Sequence, residues 1–363
     1  MQAGRRRYLR WALTPWWWGG NFALAQALAK PKTVVVEIDL STRSRDAAAA
    51  LLAGVQAAFD SANPALQVQI VNTYGNPMRA RDALEQIASQ SALVAVVGGA
   101  DANVAAVVGP WAQAQQLPYA VLWSSVHAQQ SRAAWDFYFG LSDAQCLQRI
   151  VEKPLAKKRW GFLFSNDVLG RASYEALLEL LTNATQLEPV GIQWHDVAAN
   201  EIAAQYWELA NQGAQGIWLS AYPRASAILA QALRSNRAPV PRPPVCASAN
   251  AWSAQWASTT RSALQDAPLY FALPQLPTLH RLPAHPAGAW ARALGASLVA
   301  SVRTHAQADL QTLRAAVAQG WRATQTEFAN LPFGFYGYRS PAGLQEFSLA
   351  QILNPQLRSA DAR

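Results

Sequence analysis

Short apolar runs that end in turn residues, alternating with helix-patterned stretches, constrain this chain more than any other feature. Two such units stand back to back. Ala92 to Asp101 (ALVAVVGGAD) and Pro118 to His127 (PYAVLWSSVH) each carry an apolar run into a cluster of small residues, with a helical stretch from Asn103 to Gln115 between them. Runs of this length read as strands of a parallel sheet buried on both faces and joined by a crossover helix. In open α/β sheets ligands sit beyond the carboxyl ends of strands, where backbone amides and helix N-termini are free to hydrogen-bond. Gly98, Gly99, Ser124 and Ser125 therefore mark a candidate binding floor.

The same alternation fills most of the chain. Strand TVVVEIDL, a helix from Arg45 to Ser61, a strand from Val68 to Asn72 and a helix from Pro77 to Gln90 precede the two units. After Trp135 to Ser142 the pattern restarts with a helix from Ala144 to Ala156, and strands are expected at Trp160 to Phe164, Pro189 to Trp194, Gly216 to Ser220 and up to Ser248. Helices at Gly170 to Leu181, Asn200 to Gln212 and Arg224 to Arg234 separate them. This is the pattern of a doubly wound fold, and the restart predicts a second lobe. Pro268 to Pro277 reads as a segment crossing between lobes. Helices from Ala287 to His305 and Asp309 to Ala318 follow, and a strand pair, Gly334 to Tyr338 and Leu344 to Leu349, closes the chain.

Charge and termini narrow the class. Taking Arg5, Arg6, Arg7 and Arg10 away from the formal +8 leaves +4, a mildly basic chain that calls for no nucleic-acid partner. Those four arginines open a leader, residues 1–29, with a basic start, an interrupted apolar stretch and small-x-small sites at Ala23-Leu24-Ala25 and Ala27-Leu28-Ala29. That is an export signal. Arg5-Arg6-Arg7-Tyr8-Leu9-Arg10 also fits a twin-arginine pattern, so the route is either Sec or twin-arginine. Pro15, Gly19, Gly20 and Asn21 break the apolar run short of the ~20 residues of a membrane span, and the mature chain is expected to lie outside the bilayer. Cys146 and Cys246 are the two cysteines. Nothing in the sequence brings them within the ~7 Å a bridge requires, and the expectation is two buried thiols.

Four stretches, in order, carry a resemblance to a known family. They are Asn76-Pro-Met-Arg-Ala80 before a helix, Val96-Val-Gly-Gly99 with Pro110 in the next helix, Lys158 to Gly170 (KRWGFLFSNDVLG), and the closing Gly334 to Phe347. Together they resemble the type I periplasmic binding proteins, in particular the branched-chain amino acid (Leu/Ile/Val) substrate-binding family of ABC transporters. The resemblance spans about Thr33 to Ile352. It implies α/β architecture with two doubly wound parallel-sheet lobes joined by a three-segment hinge: 31–141 with 276–322, and 142–275 with 323–355. It also implies a cleft that closes on a small molecule, delivery to an ABC permease, a periplasmic location and a monomer. A periplasmic sensor feeding a membrane receptor, and a degenerate clamp serving as scaffold, are the alternatives.

The resemblance suggests ligand contacts at Gly99, Ala100, Asp101, Ala102, Ser124, Ser125, Val126, Tyr222 and Asn250, and the aromatics Tyr74, Trp123 and Trp252, at or near strand ends that it places around the cleft, are further candidates. Three of these depart from an amino-acid binder. Ala102 or Asn103, and Val126, stand where hydroxyl side chains would hold a carboxylate, and Asn250 stands where an acid would neutralise an ammonium. A buried ammonium left without a carboxylate costs several kcal/mol, so Asn250 argues against a free α-amino acid. Asp101 directly precedes a helix and reads as its N-cap.

Catalytic patterns are missing: no G-x-S-x-G, P-loop, H-E-x-x-H or C-x-x-C occurs, and the five histidines are scattered. The expectation is a binding protein without cofactor or metal, not an enzyme.

Overall fold

The computed structural model describes residues 30–41, 44–60, 66–124, 134–151, 159–183, 187–196, 198–235, 242–253, 268–275, 285–329, 332–339 and 343–353. The leader, Ser125, Val126 and His127 lie outside the described residues.

A first sheet forms from β1 (Lys32–Ile38), β2 (Gln67–Asn72), β3 (Ala92–Gly98), β4 (Tyr119–Val121) and β5 (Asp136–Tyr138), in the order β2-β1-β3-β4-β5. Every pairing is parallel. The apolar run of β1 is continuous because both faces are covered. Val34, Val36 and Ile38 enter a core shared with α1 (Arg45–Phe59), while Val35 faces a second core built with α2 (Pro77–Gln90) and α3 (Ala102–Ala114).

A second sheet repeats the winding. Its parallel part comprises β6 (Arg159–Ser165), β7 (Glu188–His195), β8 (Gly216–Ser220), β9 (Val245–Ala247) and β10 (Leu269–Pro274), running β10-β9-β8-β6-β7. The first strand of each sheet thus pairs with the second on one side and the third on the other. α4 (Asp143–Val151), α5 (Val168–Asn183), α6 (Ile202–Asn211) and α7 (Pro223–Ser235) belong to this part of the chain.

After β10 the chain returns to the first sheet. α8 (Pro286–Thr304) packs along α1, closely enough that a Cβ on Gly54 would collide with the Gly288 carbonyl. α9 (Leu310–Ala329) lies on β3 and β5, with Gln325 Nε2 donating to Tyr138 O at 3.0 Å. β11 (Phe333–Arg339) and β12 (Gly343–Phe347) then add antiparallel to β10 in the second sheet, and the five-residue α10 (Leu349–Leu353) ends the described chain.

The structure corrects the sequence reading at three places. Leu269–Pro274 is a fully buried strand, parallel to β9 and antiparallel to β11, not a crossing segment. Its flanking prolines hide it: Pro274 is the strand's last residue, where a missing N–H costs one ladder bond at most. Asp136–Tyr138 is a sheet strand with no signature in the sequence, since three residues beginning with an acid carry no period. The last long helix runs to Ala329, well past Ala318, because its continuation covers β5.

Candidate functional site

Each parallel sheet reverses its winding once, between β1 and β3 in the first and between β6 and β8 in the second. Open α/β sheets bind ligands at such points.

On the first sheet this point is acidic. Glu37, buried in β1, reaches across Gly98, and its Oε2 accepts the Gly99 N–H at 2.8 Å. Oε1 accepts the Thr73 hydroxyl at 3.4 Å. Burial pushes its carboxyl up to about 7, opposed by the Gly99 hydrogen bond and reinforced by the nearby Asp101 and Asp39 charges. Asp39 accepts from the Ser41 backbone N–H and hydroxyl, both at 2.7 Å. Asp101 caps α3 as its sequence position predicts, Oδ1 accepting from Asn103 N at 2.8 Å and Val104 N at 3.1 Å. A Cβ placed on Gly75 would stand 3.4 Å from Asp39 Oδ2 and 3.7 Å from Asp101 Oδ2, so the two acids converge beneath the Tyr74–Gly75 turn. Tyr74 is exposed, with the Arg79 guanidinium 4.7 Å over its ring. Gly99 holds φ at +72°, and any Cβ there would strike Val121. Ala100 is buried beside it, and the Ser124 N–H donates to the Gly99 carbonyl at 2.9 Å.

The two winding points meet. Ala102, the first residue of α3, packs in one buried apolar cluster with Leu169, in the first turn of α5, and Tyr222, from the turn after β8. Asn103 Oδ1 accepts the Val168 N–H at 3.4 Å across the same junction. A second tie joins the Ser253 hydroxyl, beyond β9, to Asp46 Oδ2 on α1. Ala102 and Tyr222, two sequence candidates, are therefore brought together.

Trp123 and Trp252 are also brought together, through a residue the sequence reading did not choose. The His285 ring lies edge-on to Trp123 at 4.2 Å and tilted to Trp252 at 5.3 Å. Trp123 continues to Trp290 at 5.6 Å, Trp290 to Phe328 at 6.1 Å, and Phe328 to Phe139 at 6.2 Å. This aromatic chain links Trp252 of the second sheet to residues flanking all three passages of the chain between sheets. His285 caps α8, its Nδ1 accepting the Ala287 N–H at 3.2 Å. Burial pushes the imidazole down to about 3, so the ring is neutral and its proton sits on Nε2. Asn250 is buried on the short 3-10 turn Ala249–Ala251 after β9.

Glu37, Asp39 and His285 are the site residues missed from sequence. An acid inside the otherwise apolar TVVVEIDL was a usable signal for Glu37; His285 had none. Cys146 and Cys246 are buried free thiols, as expected. Among the described residues no His, Cys, Asp and Glu cluster suits a metal ion, and no helix is long and apolar enough to cross a membrane.

Two open sheets of one strand order, with winding points facing a shared junction, define a two-sheet α/β ligand-binding architecture. The chain belongs to the periplasmic binding protein family, type I and Leu/Ile/Val-binding-protein-like: the model described as "Periplasmic binding protein" matches residues 33–296. It is a family of binding proteins, not of enzymes. No curated protein sequence matches the chain significantly. Among solved structures, a possible leucine/isoleucine/valine-binding protein from Rhodopirellula baltica superposes with TM-score 0.70 at 14% identity, covering 90% of this chain and 98% of that one. A leucine-binding protein from Thermotoga maritima gives 0.68 at 12% identity, covering 87% and 97%. A fatty acid ABC transporter substrate-binding protein from Thermomonospora curvata gives 0.64 at 17%, covering 81% of each chain.

Proposed function

We propose that this chain is an exported solute-binding protein that closes two lobes on a small molecule in the periplasm and hands it to an ABC importer. The proposed lobes follow the two sheets, with the last crossing beyond Ala329, where α9 ends, and not at 322. The observation that carries the reading is the convergence of the start of α3, the start of α5 and the turn after β8 at one junction. Two doubly wound sheets present their ligand-binding edges to each other there, which is what a clamp requires. The fatty acid and leucine-binding titles of its structural neighbours support solute capture in general. Ligand contacts are proposed at Gly99, Ala100, Asp101, Ser124, Asn250 and the undescribed Ser125 and Val126. Tyr74, Ala102, Trp123, Tyr222 and Trp252 form the rim and walls.

Mass spectrometry of small molecules released on denaturing the purified protein tests this. One compound recovered at stoichiometric amounts is expected, and its addition back should raise the melting temperature. Repeated recovery of nothing, together with no thermal response to a broad metabolite panel, would leave the scaffold alternative standing instead. Recovery of leucine, isoleucine or valine would overturn the argument from Asn250 while keeping the clamp.

A further inference from the structure

The turn after β9 holds hydrogen-bond donors that nothing among the described residues uses. Ser248 opens it and Trp252 closes it, with Ala251 N donating to Ser248 O and Trp252 N to Ala249 O, each at 3.1 Å. Both side chains are buried, at 0% and 1% exposure. Ser248 Oγ and Trp252 Nε1 have no hydrogen-bond partner among the described residues. A buried polar group left unpaired costs about 1–3 kcal/mol, and here two occur on one five-residue turn at the carboxyl end of a parallel strand. His285 adds a third donor against the Trp252 ring, because its Nδ1 already accepts from Ala287 and its proton is on Nε2. An indole N–H can only donate. Apolar packing accounts for the rings and leaves these polar atoms unexplained.

We infer that the turn after β9 receives a hydrogen-bond acceptor of the ligand, a carboxylate or carbonyl oxygen, carried on a flat apolar body that fits the Trp123, Trp252 and His285 rings. The inference rests on the solute-binding reading. Trp252 follows β9 of the second sheet, while Trp123 follows β4 of the first and His285 caps α8, so parting the sheets uncovers the donors and closing them traps the acceptor. The acids Asp39 and Asp101 converging at the other winding point fit the same polarity, since a carboxylate docked on that side would meet like charge. A ligand ammonium at the β9 turn would set donors against a donor.

Three probes that share a ring and differ in head group decide it: phenylacetate, phenylacetamide and phenethylamine, added in millimolar amounts to the full mature chain in differential scanning fluorimetry. An acceptor head is expected to raise the melting temperature and the amine to leave it unchanged. A shift from phenylacetate alone assigns a carboxylate, and a shift from both assigns a carbonyl oxygen. Trp252→Phe keeps the ring and removes the N–H, and Ser248→Ala removes the hydroxyl; each should weaken the acceptor probe on the order of tenfold. A response to phenethylamine alone, or both variants binding the acceptor probe as wild type does, overturns the proposal with solute binding intact. No response to any probe also overturns it, and the released-compound experiment then decides separately whether the protein binds a solute.

Discussion

Replacing Glu37 with Gln should make the protein more stable at pH 8 and leave it unchanged at pH 4. Glu37 is fully buried, and burial is the largest of the effects that raise its carboxyl from 4.5 to about 7. Below pH 4.5 the group is protonated in both folded and unfolded chains and contributes nothing. Between pH 4.5 and 7 the unfolded chain releases the proton while the folded one retains it, so stability falls as pH rises. Above pH 7 the penalty is constant. At about 1.4 kcal/mol per unit, a displacement of 2.5 units amounts to about 3 kcal/mol. Gln preserves an oxygen for the Gly99 N–H and cannot ionise. Urea unfolding of wild type and Glu37→Gln across pH 4 to 8 should give a difference that grows from near zero to about 3 kcal/mol in favour of the variant. Asp136, pushed up to about 7 by burial, bends the wild-type curve in the same direction, and taking the difference between proteins removes its share. A difference that is flat with pH refutes the reasoning, because Glu37 would then titrate alike folded and unfolded.

Three further outcomes follow from single contacts. Asp101→Ala removes the two N-cap hydrogen bonds of α3 and should cost about 1 kcal/mol in urea unfolding; no loss would mean the cap is replaced by solvent. Gly99→Ala sets a Cβ against Val121 at positive φ and should destabilise by roughly 2 kcal/mol or more, so a neutral result would contradict the tight β3 turn. Cys146 and Cys246 are buried, and burial pushes both thiols up, so neither should react with a thiol reagent in the native protein and both should react on unfolding; a labelled native thiol would refute their burial.

The parts of this fold that sequence revealed are those whose burial is regular. β1 reads as a strand because alternate residues enter two different cores, and α2 is fixed at its start by Asn76, whose side chain accepts from Met78 N and Arg79 N ahead of a run that begins with Pro77. β5 and β10 stayed hidden because their strand character comes from neighbours: β5 is held by pairing with β4, and β10 by β9 and β11 despite its prolines.

The candidate site divides along the same line. Asp101 was legible as a cap because capping is a contact over two or three residues. Trp123 and Trp252 were legible as strand-end aromatics, but what they touch was not, since His285 reaches them only after the chain has passed through the second sheet and returned. That contact changes what the two tryptophans mean. Both pack against one neutral histidine that caps α8, where the chain returns towards the first sheet. A movement of one sheet against the other would therefore disturb the Trp252–His285 contact. The polar atoms that this packing leaves over are the Trp252 N–H and the Ser248 O–H of the β9 turn.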